Sequence, residues 1–428
     1  MSDLTPRQQI VLFSVLLIVW AAWTLFAHWN GAHLDISALF MAGWLYGDGR
    51  MDEIYAAAPR ILDAPDLPIW REVMTALGEP KRAITPYIYP PIWAALLAWP
   101  AHALAPMTFY HVAFAWHMAA MLAGAVLAYT AFPPDRRPHH LAWGLSAFAI
   151  LFGTWPVVNA FLTNQPQITV NLFVLLAFWL LVRGREWGAG AALGLAAAIK
   201  VSPILFALIF IANRNWRALA AALAVSGGIA LASILVTGWP LHEVFLERVG
   251  QINGFIVEAK VNYSPEALLY QAAQLWRGEP IGDGREALSY VFDEPLWITL
   301  VTKTAFLGFL AALYLSTRGI DARVRPLLQL FCLSTMTALF GPLSWSHYFV
   351  VPMLLMPALF LVMPERRAWG WIAAVLIGTS LFAFSVLHRF NHLFMMTALV
   401  PALLYLGMLT ATLLAARRTT RESGFETA

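Results

Sequence analysis

The sequence predicts an all-α, polytopic integral membrane protein, and three observations carry that expectation. Of its 428 residues, 60% are hydrophobic and only 12% charged, with a mean hydropathy of +0.67. The apolar runs have the length of helices that cross a hydrocarbon core of about 30 Å. They do not alternate in hydrophobicity as the strands of a membrane barrel do. Lipid offers the backbone no partner outside a helix or a closed barrel, so helices remain.

Charge and cysteine usage narrow the function classes. The net charge of +3, from 27 basic and 24 acidic residues, comes from loop arginines, which fits membrane orientation rather than a nucleic-acid partner. The single cysteine, Cys332, excludes an intrachain disulfide framework and a cysteine zinc site. No HExxH, CxxC or phosphate-cradling glycine loop occurs, and His139-His140 and the pair His111 and His117 lack metal-ligand spacing. No metal and no cofactor are therefore expected.

The first apolar run, residues 9–28, carries Trp20 and Trp23 near its outer end and reads as an uncleaved anchor. A polar stretch follows to about residue 87, with Asp35, Asp48, Asp52, Glu53, Asp63, Asp66 and Glu72, too charged to cross lipid. Residues 86–106 are apolar but cut by Pro90, Pro91, Pro100 and Pro106, which suggests a short interfacial or re-entrant element. Later runs lie near 109–132, 141–158, 166–183, 188–212, 217–237, 296–317, 324–342, 347–363, 369–386 and 393–416. Splitting 188–212 at Lys200 and Pro203 puts most loop arginines on one side, among them Arg136, Arg137, Arg183, Arg185, Arg318, Arg366 and Arg417. The expectation is a bundle of about twelve transmembrane helices with both termini cytoplasmic. It forms one membrane domain, 1–428, with large external loops at 29–108 and 238–295 and a tail at 417–428.

On that topology the unusual polar residues share the external face. They are Asp35, Tyr87 and Tyr89, the Asn164-Gln165-Pro166-Gln167 turn, Lys200, Asn262 with Ser264, and Ser344-Trp345-Ser346-His347. Asp35, just beyond the first helix, is either an interfacial anchor or a catalytic base. Lys200, in a run of alanines, is either a snorkelling stem or a point charge for a phosphate at the interface. His347 is either a helix cap or a donor to a phosphate. Tyr87, Tyr89 and Trp345 are either belt aromatics or stacking partners for a sugar, and Asn164 and Gln165 either satisfy helix ends or read hydroxyl groups.

Taken in order, these pieces resemble glycosyltransferase family 87, the polyprenol-phosphate-sugar-dependent membrane mannosyltransferases of the GT-C superfamily. The resemblance rests on Asp35 followed by Leu45-Tyr46-Gly47 and Tyr55, on Tyr-x-Tyr-Pro-Pro at 87–91 and on Gln165. It continues through AGAALGLAAAIKVSPILF at 189–206 and Ser-Trp-x-His at 344–347. It implies a GT-C bundle and a general-base role for Asp35. The family's Gly-Gln-x-Asn turn is only partly kept, with Asn164 in place of glycine and Gln167 in place of asparagine. The expected reaction transfers a sugar, mannose or another such as arabinose, from a polyprenyl phosphate to a glycan or lipid acceptor, on the external, periplasmic face of the cytoplasmic membrane. Lys200 and His347 would hold the departing phosphate, attack opposite the phosphate would invert the anomeric centre, and Tyr87, Tyr89, Asn164, Gln165, Asn262 and Trp345 would contact substrate. The rival readings are a transporter or lipid flippase, for which Lys303 inside an apolar run is the one clear indication, and a non-catalytic assembly protein.

Overall fold

In the computed structural model, residues 5–56, 67–81, 84–279, 289–341, 343–391 and 394–425 are described. Asp63, Asp66 and the stretches 57–66, 280–288 and 426–428 of the expected loops and tail lie outside them. The chain opens with α1 (Pro6–His28), started by a capping box between Thr5 and Gln8 with Pro6 in the first turn. Next come α2 (Leu34–Gly47), α3 (Pro68–Ala76) and α4 (Ile92–Ala103). Their 14, 9 and 12 residues fall short of the roughly 20 that a span requires. α2 and α4 lie close together: a Cβ on Gly43 would stand 2.7 Å from the Leu97 carbonyl oxygen, so only glycine admits this approach.

The following helices are α5 (Pro106–Ala131), α6 (His140–Gly153), α7 (Trp155–Leu162), α8 (Gln167–Leu181) and α9 (Glu186–Ile199). The chain then breaks at Lys200, passes through a 3-10 turn at Ser202–Phe206, and re-forms as α10 (Ala207–Ala212), α11 (Trp216–Thr237) and α12 (Trp239–Ile252). This is the break that Lys200 and Pro203 predict, since proline cannot donate to the preceding turn. α9 crosses α11 on small residues, with Gly194 against the Ala222 carbonyl.

The second loop departs from the all-α expectation. β1 (Phe255–Ala259) pairs antiparallel with β2 (Ser289–Asp293), from Phe255 opposite Asp293 to Ala259 opposite Ser289, and α13 (Pro265–Trp276) lies between them in the chain. FIVEA is apolar except for Glu258, SYVFD is apolar between its polar ends, and each strand needs the other's backbone. The chain closes with α14 (Leu296–Thr317), α15 (Arg325–Phe340), α16 (Val350–Leu354), α17 (Glu365–Gly378), α18 (Leu381–His388) and α19 (Met396–Phe425).

Five helices among the described residues are long and apolar enough to cross a membrane: α1, α5, α11, α14 and α19. Several other apolar runs fold as shorter pieces. The run at 141–158 breaks at Thr154 and that at 369–386 at Thr379-Ser380, and the two breaks meet, with Trp155 N–H donating to the Thr379 carbonyl at 2.7 Å. Each interrupted helix thus supplies a backbone partner to the other. α15 is the bundle centre, its Leu327, Phe331, Cys332, Met336 and Leu339 fully buried. α1 instead exposes Ile10, Ile18 and Phe26, the surface a lipid tail would cover.

Candidate active site

Asp35 stands in the first turn of α2, two residues after His33, which enters the helix in the left-handed conformation at φ 50°. Its backbone N–H donates to the Thr163 carbonyl at 3.0 Å, tying the start of α2 to the turn after α7. On the side chain, Gln165 Nε2 donates to Oδ2 at 2.6 Å. The Thr85 hydroxyl lies 3.2 Å from Oδ1 and 2.9 Å from the Leu34 carbonyl, sharing one proton between them. Among the described residues, the hydrogen-bond donors on this carboxylate are thus neutral ones. Burial pushes its carboxyl above the ordinary aspartate range, and the Thr163 and Thr85 hydroxyls and the Lys200 charge offset part of that. The residue nonetheless keeps partial access to solvent.

Tyr89 joins this cluster, its hydroxyl donating to Gln165 Oε1 at 3.3 Å. The Tyr55 hydroxyl holds the Tyr89 carbonyl at 2.6 Å. Tyr87 packs one layer behind, between Tyr55 and Tyr89, with its hydroxyl on the Pro90 carbonyl at 2.8 Å. It therefore shapes the Tyr-x-Tyr-Pro-Pro turn rather than offering a free polar tip.

Lys200, at the α9 break, donates to the Tyr348 hydroxyl at 2.6 Å. Its charge acts on both Asp35 and His347, so the three groups border one region. His347 is buried, and neither ring nitrogen has a partner among the described residues. Lys200 and Tyr348 line a cavity of about 210 Å³. Its walls are mainly apolar, including Pro203, Phe206, Val174 and Val351, with Gln167 and Asn171 among the polar exceptions. Ile88 and Pro90, which also line it, flank Tyr89, so the cavity and the Asp35 cluster share the 87–91 turn.

The remaining candidates hold the scaffold. Asn262 is buried: its Nδ2 donates to the Val257 carbonyl at 2.6 Å, and its Oδ1 accepts from Ser344 N–H at 3.0 Å and Ser264 N–H at 3.2 Å. Together with Ser346 N–H on the Val261 carbonyl at 2.8 Å, it fastens the second loop to the segment carrying Trp345 and His347. Trp345 packs on Val257, Ala259 and Leu343. Asn164 lies behind Gln165. Sequence reasoning missed Thr85 and Tyr348, although both sit within two residues of a flagged aromatic or histidine. Lys303 forms an ion pair with Glu266 at 3.3 Å, and Thr302 donates to the same oxygen at 3.0 Å. The charge in α14 is thus compensated from α13.

The helical membrane bundle thus sets a partly desolvated carboxylate beside an apolar cavity lined by one lysine, and the match to a known family defines it as a membrane glycosyltransferase. The profile of glycosyltransferase family 87 matches residues 87–324, more than half of the chain, and the chain belongs to that family. The match contains Tyr87, Tyr89, Asn164, Gln165, Lys200 and Asn262, while Asp35, Trp345 and His347 lie outside it. The chain is 27% identical over 379 residues to the polyprenol-phosphate-mannose-dependent alpha-(1-2)-phosphatidylinositol pentamannoside mannosyltransferase of Mycolicibacterium smegmatis, covering 86% of this chain and 80% of that protein. The Mycobacterium tuberculosis protein of the same description is 27% identical over 307 residues, 68% of this chain and 64% of the relative. A phosphatidylinositol mannoside mannosyltransferase of M. tuberculosis is 28% identical over 197 residues, 43% of this chain and 39% of the relative.

Proposed function

We propose that the protein transfers a sugar, mannose by preference, from a polyprenyl monophosphate to a glycolipid or glycan acceptor, with Asp35 as the general base. The observation that carries this reading is the Asp35 carboxylate itself. Neutral hydrogen bonds from Gln165 and Thr85 orient both its oxygens, and its pKa is raised near an apolar cavity whose lining includes the Lys200 ammonium. The relatives' dependence on polyprenol-phosphate-mannose and their phosphatidylinositol mannoside acceptors support the choice of donor and of a lipid-linked acceptor.

Asp35 takes the proton of the acceptor hydroxyl as its oxygen bonds to the anomeric carbon. The bond from that carbon to the phosphate oxygen breaks, and polyprenyl phosphate leaves with the electron pair. Attack opposite the leaving group inverts the anomeric centre, and no covalent intermediate on the protein is needed. Lys200, and His347 through an unpaired ring nitrogen, receive the charge that develops on the departing phosphate. The apolar cavity takes the first isoprene units of the donor. No metal ion or cofactor takes part in this reaction. The helices form one domain in the cytoplasmic membrane, about twelve spans in all, with both termini cytoplasmic and the site on the periplasmic face.

The test is transfer of radiolabelled mannose from polyprenyl-phosphate mannose by purified protein in lipid, with extracted membrane lipids as acceptor pool. Wild type should form labelled glycolipid, and Asp35→Asn should lower the rate about 100- to 10,000-fold. Equal transfer by both proteins removes Asp35 from the role. Transfer by neither removes mannose as the donor sugar.

A further inference from the structure

Behind Asp35 lies a buried contact that no atom of the proposed reaction touches. Asn164 adopts φ 51°, the left-handed region that non-glycine residues rarely occupy. Such a conformation persists where its surroundings over-determine it. Here the side chain is fully buried, with Nδ2 donating to the Tyr110 carbonyl at 2.9 Å and Oδ1 standing 2.7 Å from His117 Nδ1.

The two contacts fix a tautomer. A backbone carbonyl only accepts, so the amide nitrogen of Asn164 must face Tyr110 and its oxygen must face His117. An oxygen 2.7 Å from a ring nitrogen requires the proton on that nitrogen, which makes His117 the Nδ1–H form. The next residue in the turn, Gln165, has its N–H on the Ala160 carbonyl at 2.8 Å and its side chain on Asp35. Asn164 is therefore the hinge of the turn that aims Gln165.

We propose that His117, buried on α5, is a positioning residue for sugar transfer: through Asn164 it locks the left-handed turn that presents Gln165 to Asp35. The inference rests on the reading of Asp35 as the base. It departs from a plain core role, because a histidine that only fills space does not need a proton on a particular nitrogen. It also accounts for asparagine at a position where the family pattern has glycine. Asparagine reaches the left-handed region less freely than glycine does, and the buried pair of hydrogen bonds holds it there.

Steady-state transfer by purified, lipid-reconstituted protein tests this with two variants of similar polarity. In His117→Asn the amide nitrogen replaces Nδ1, whereas in His117→Gln it falls near the place of Nε2. His117→Gln should lose about 10- to 100-fold in kcat, the scale of a reacting group displaced by a fraction of an ångström to one ångström. Its KM for polyprenyl-phosphate mannose should stay within about twofold, and His117→Asn should recover most of kcat. Equal kcat in the two variants, or a loss confined to KM, overturns the proposal. In an Asp35→Asn background, His117→Gln should add less than about twofold, because the group it positions is gone. A second full loss there points to an independent structural role and overturns it. If Asp35→Asn alone turns over like wild type, the base reading falls and takes this inference with it. A poor rate in Asp35→Asn with normal kcat in His117→Gln removes this inference alone. Should His117→Gln not fold, Asn164→Ala removes both amide bonds and disfavours the left-handed angle, and it must show the same loss in kcat.

Discussion

Gln165 donates its amide N–H to Asp35 Oδ2 at 2.6 Å across 130 residues of sequence, from a turn between two helices to the first turn of a third. That bond favours the charged carboxylate, against the burial that disfavours it. A general base must be deprotonated to act, so on the proposed role of Asp35 activity falls as pH drops through its pKa. Because burial raises that pKa, the acid limb of kcat should lie above the range of an ordinary aspartate. In Gln165→Ala the charged form loses a donor, the pKa rises further, and the limb should move to higher pH while the plateau rate falls. A pH series of transfer rates on both proteins measures this, and a limb that stays in place disconnects the bond from the base.

Lys200 and Tyr348 give a separate handle on the donor. Lys200→Ala removes the ammonium lining the cavity and should raise KM for polyprenyl-phosphate mannose at least about 10-fold, as expected of a hydrogen bond to a charged group. Lys200→Arg should recover little, because a planar fork does not reproduce a point charge that donates to one hydroxyl. Tyr348→Phe should have a smaller effect in the same direction. Titration of kcat and KM against donor concentration separates these outcomes.

Glu258, on β1, predicts a pH dependence of stability distinct from that of activity. Burial pushes its carboxyl up to about 7, and the Gln271 side chain offsets part of the shift. The folded protein then binds more protons at this site than the unfolded chain between the ordinary glutamate range and pH 7. Its contribution to stability is fully present below that range and is lost as pH rises towards 7. Glu258→Gln should flatten that slope and melt higher than wild type above pH 7. Thermal unfolding in detergent across pH 5 to 8, at about one-unit steps, checks the sign.

The α2 and α4 pair is sensitive to volume. Gly43→Val places a branched side chain where even a Cβ stands 2.7 Å from the Leu97 carbonyl oxygen. The helices must part, at about 1–3 kcal/mol, and α2 carries Asp35 with it. Both the melting temperature and kcat should fall. A variant that melts lower but keeps its kcat would show that the start of α2 is held by Thr163 rather than by α4.

The sequence made some of this legible and hid the rest for physical reasons. The break at Lys200 was readable because a lysine and a nearby proline interrupt an alanine-rich helix, and both act locally. The β1–β2 ribbon was not readable. FIVEA and SYVFD are five residues each and pair across an intervening helix, so neither carries a local signal strong enough to compete with its flanks. Asp35, Tyr89 and Gln165 were expected on one face, and the fold brings them into one hydrogen-bonded cluster. Asn262 was expected at substrate, yet both ends of its amide are taken up by backbone. Residue type says what an amide can bond, and only the fold says which way it points. Hydropathy likewise does not see that Thr154 and Ser380 meet and interrupt two apolar runs together.

The fastening of the second loop by Asn262 has an evolutionary and practical consequence. Asn262, Tyr263 and Val261 all bond backbone of residues 344–346, 82 residues on from Asn262. The loop and the Ser-Trp-Ser-His segment thus behave as one inheritable cassette, interrupted by α14 and α15 in the gene but continuous in space. A chimaera that imports the loop from a relative must bring an amide at position 262 for the Ser344 backbone N–H, whereas the other two bonds run backbone to backbone and survive a change of parent.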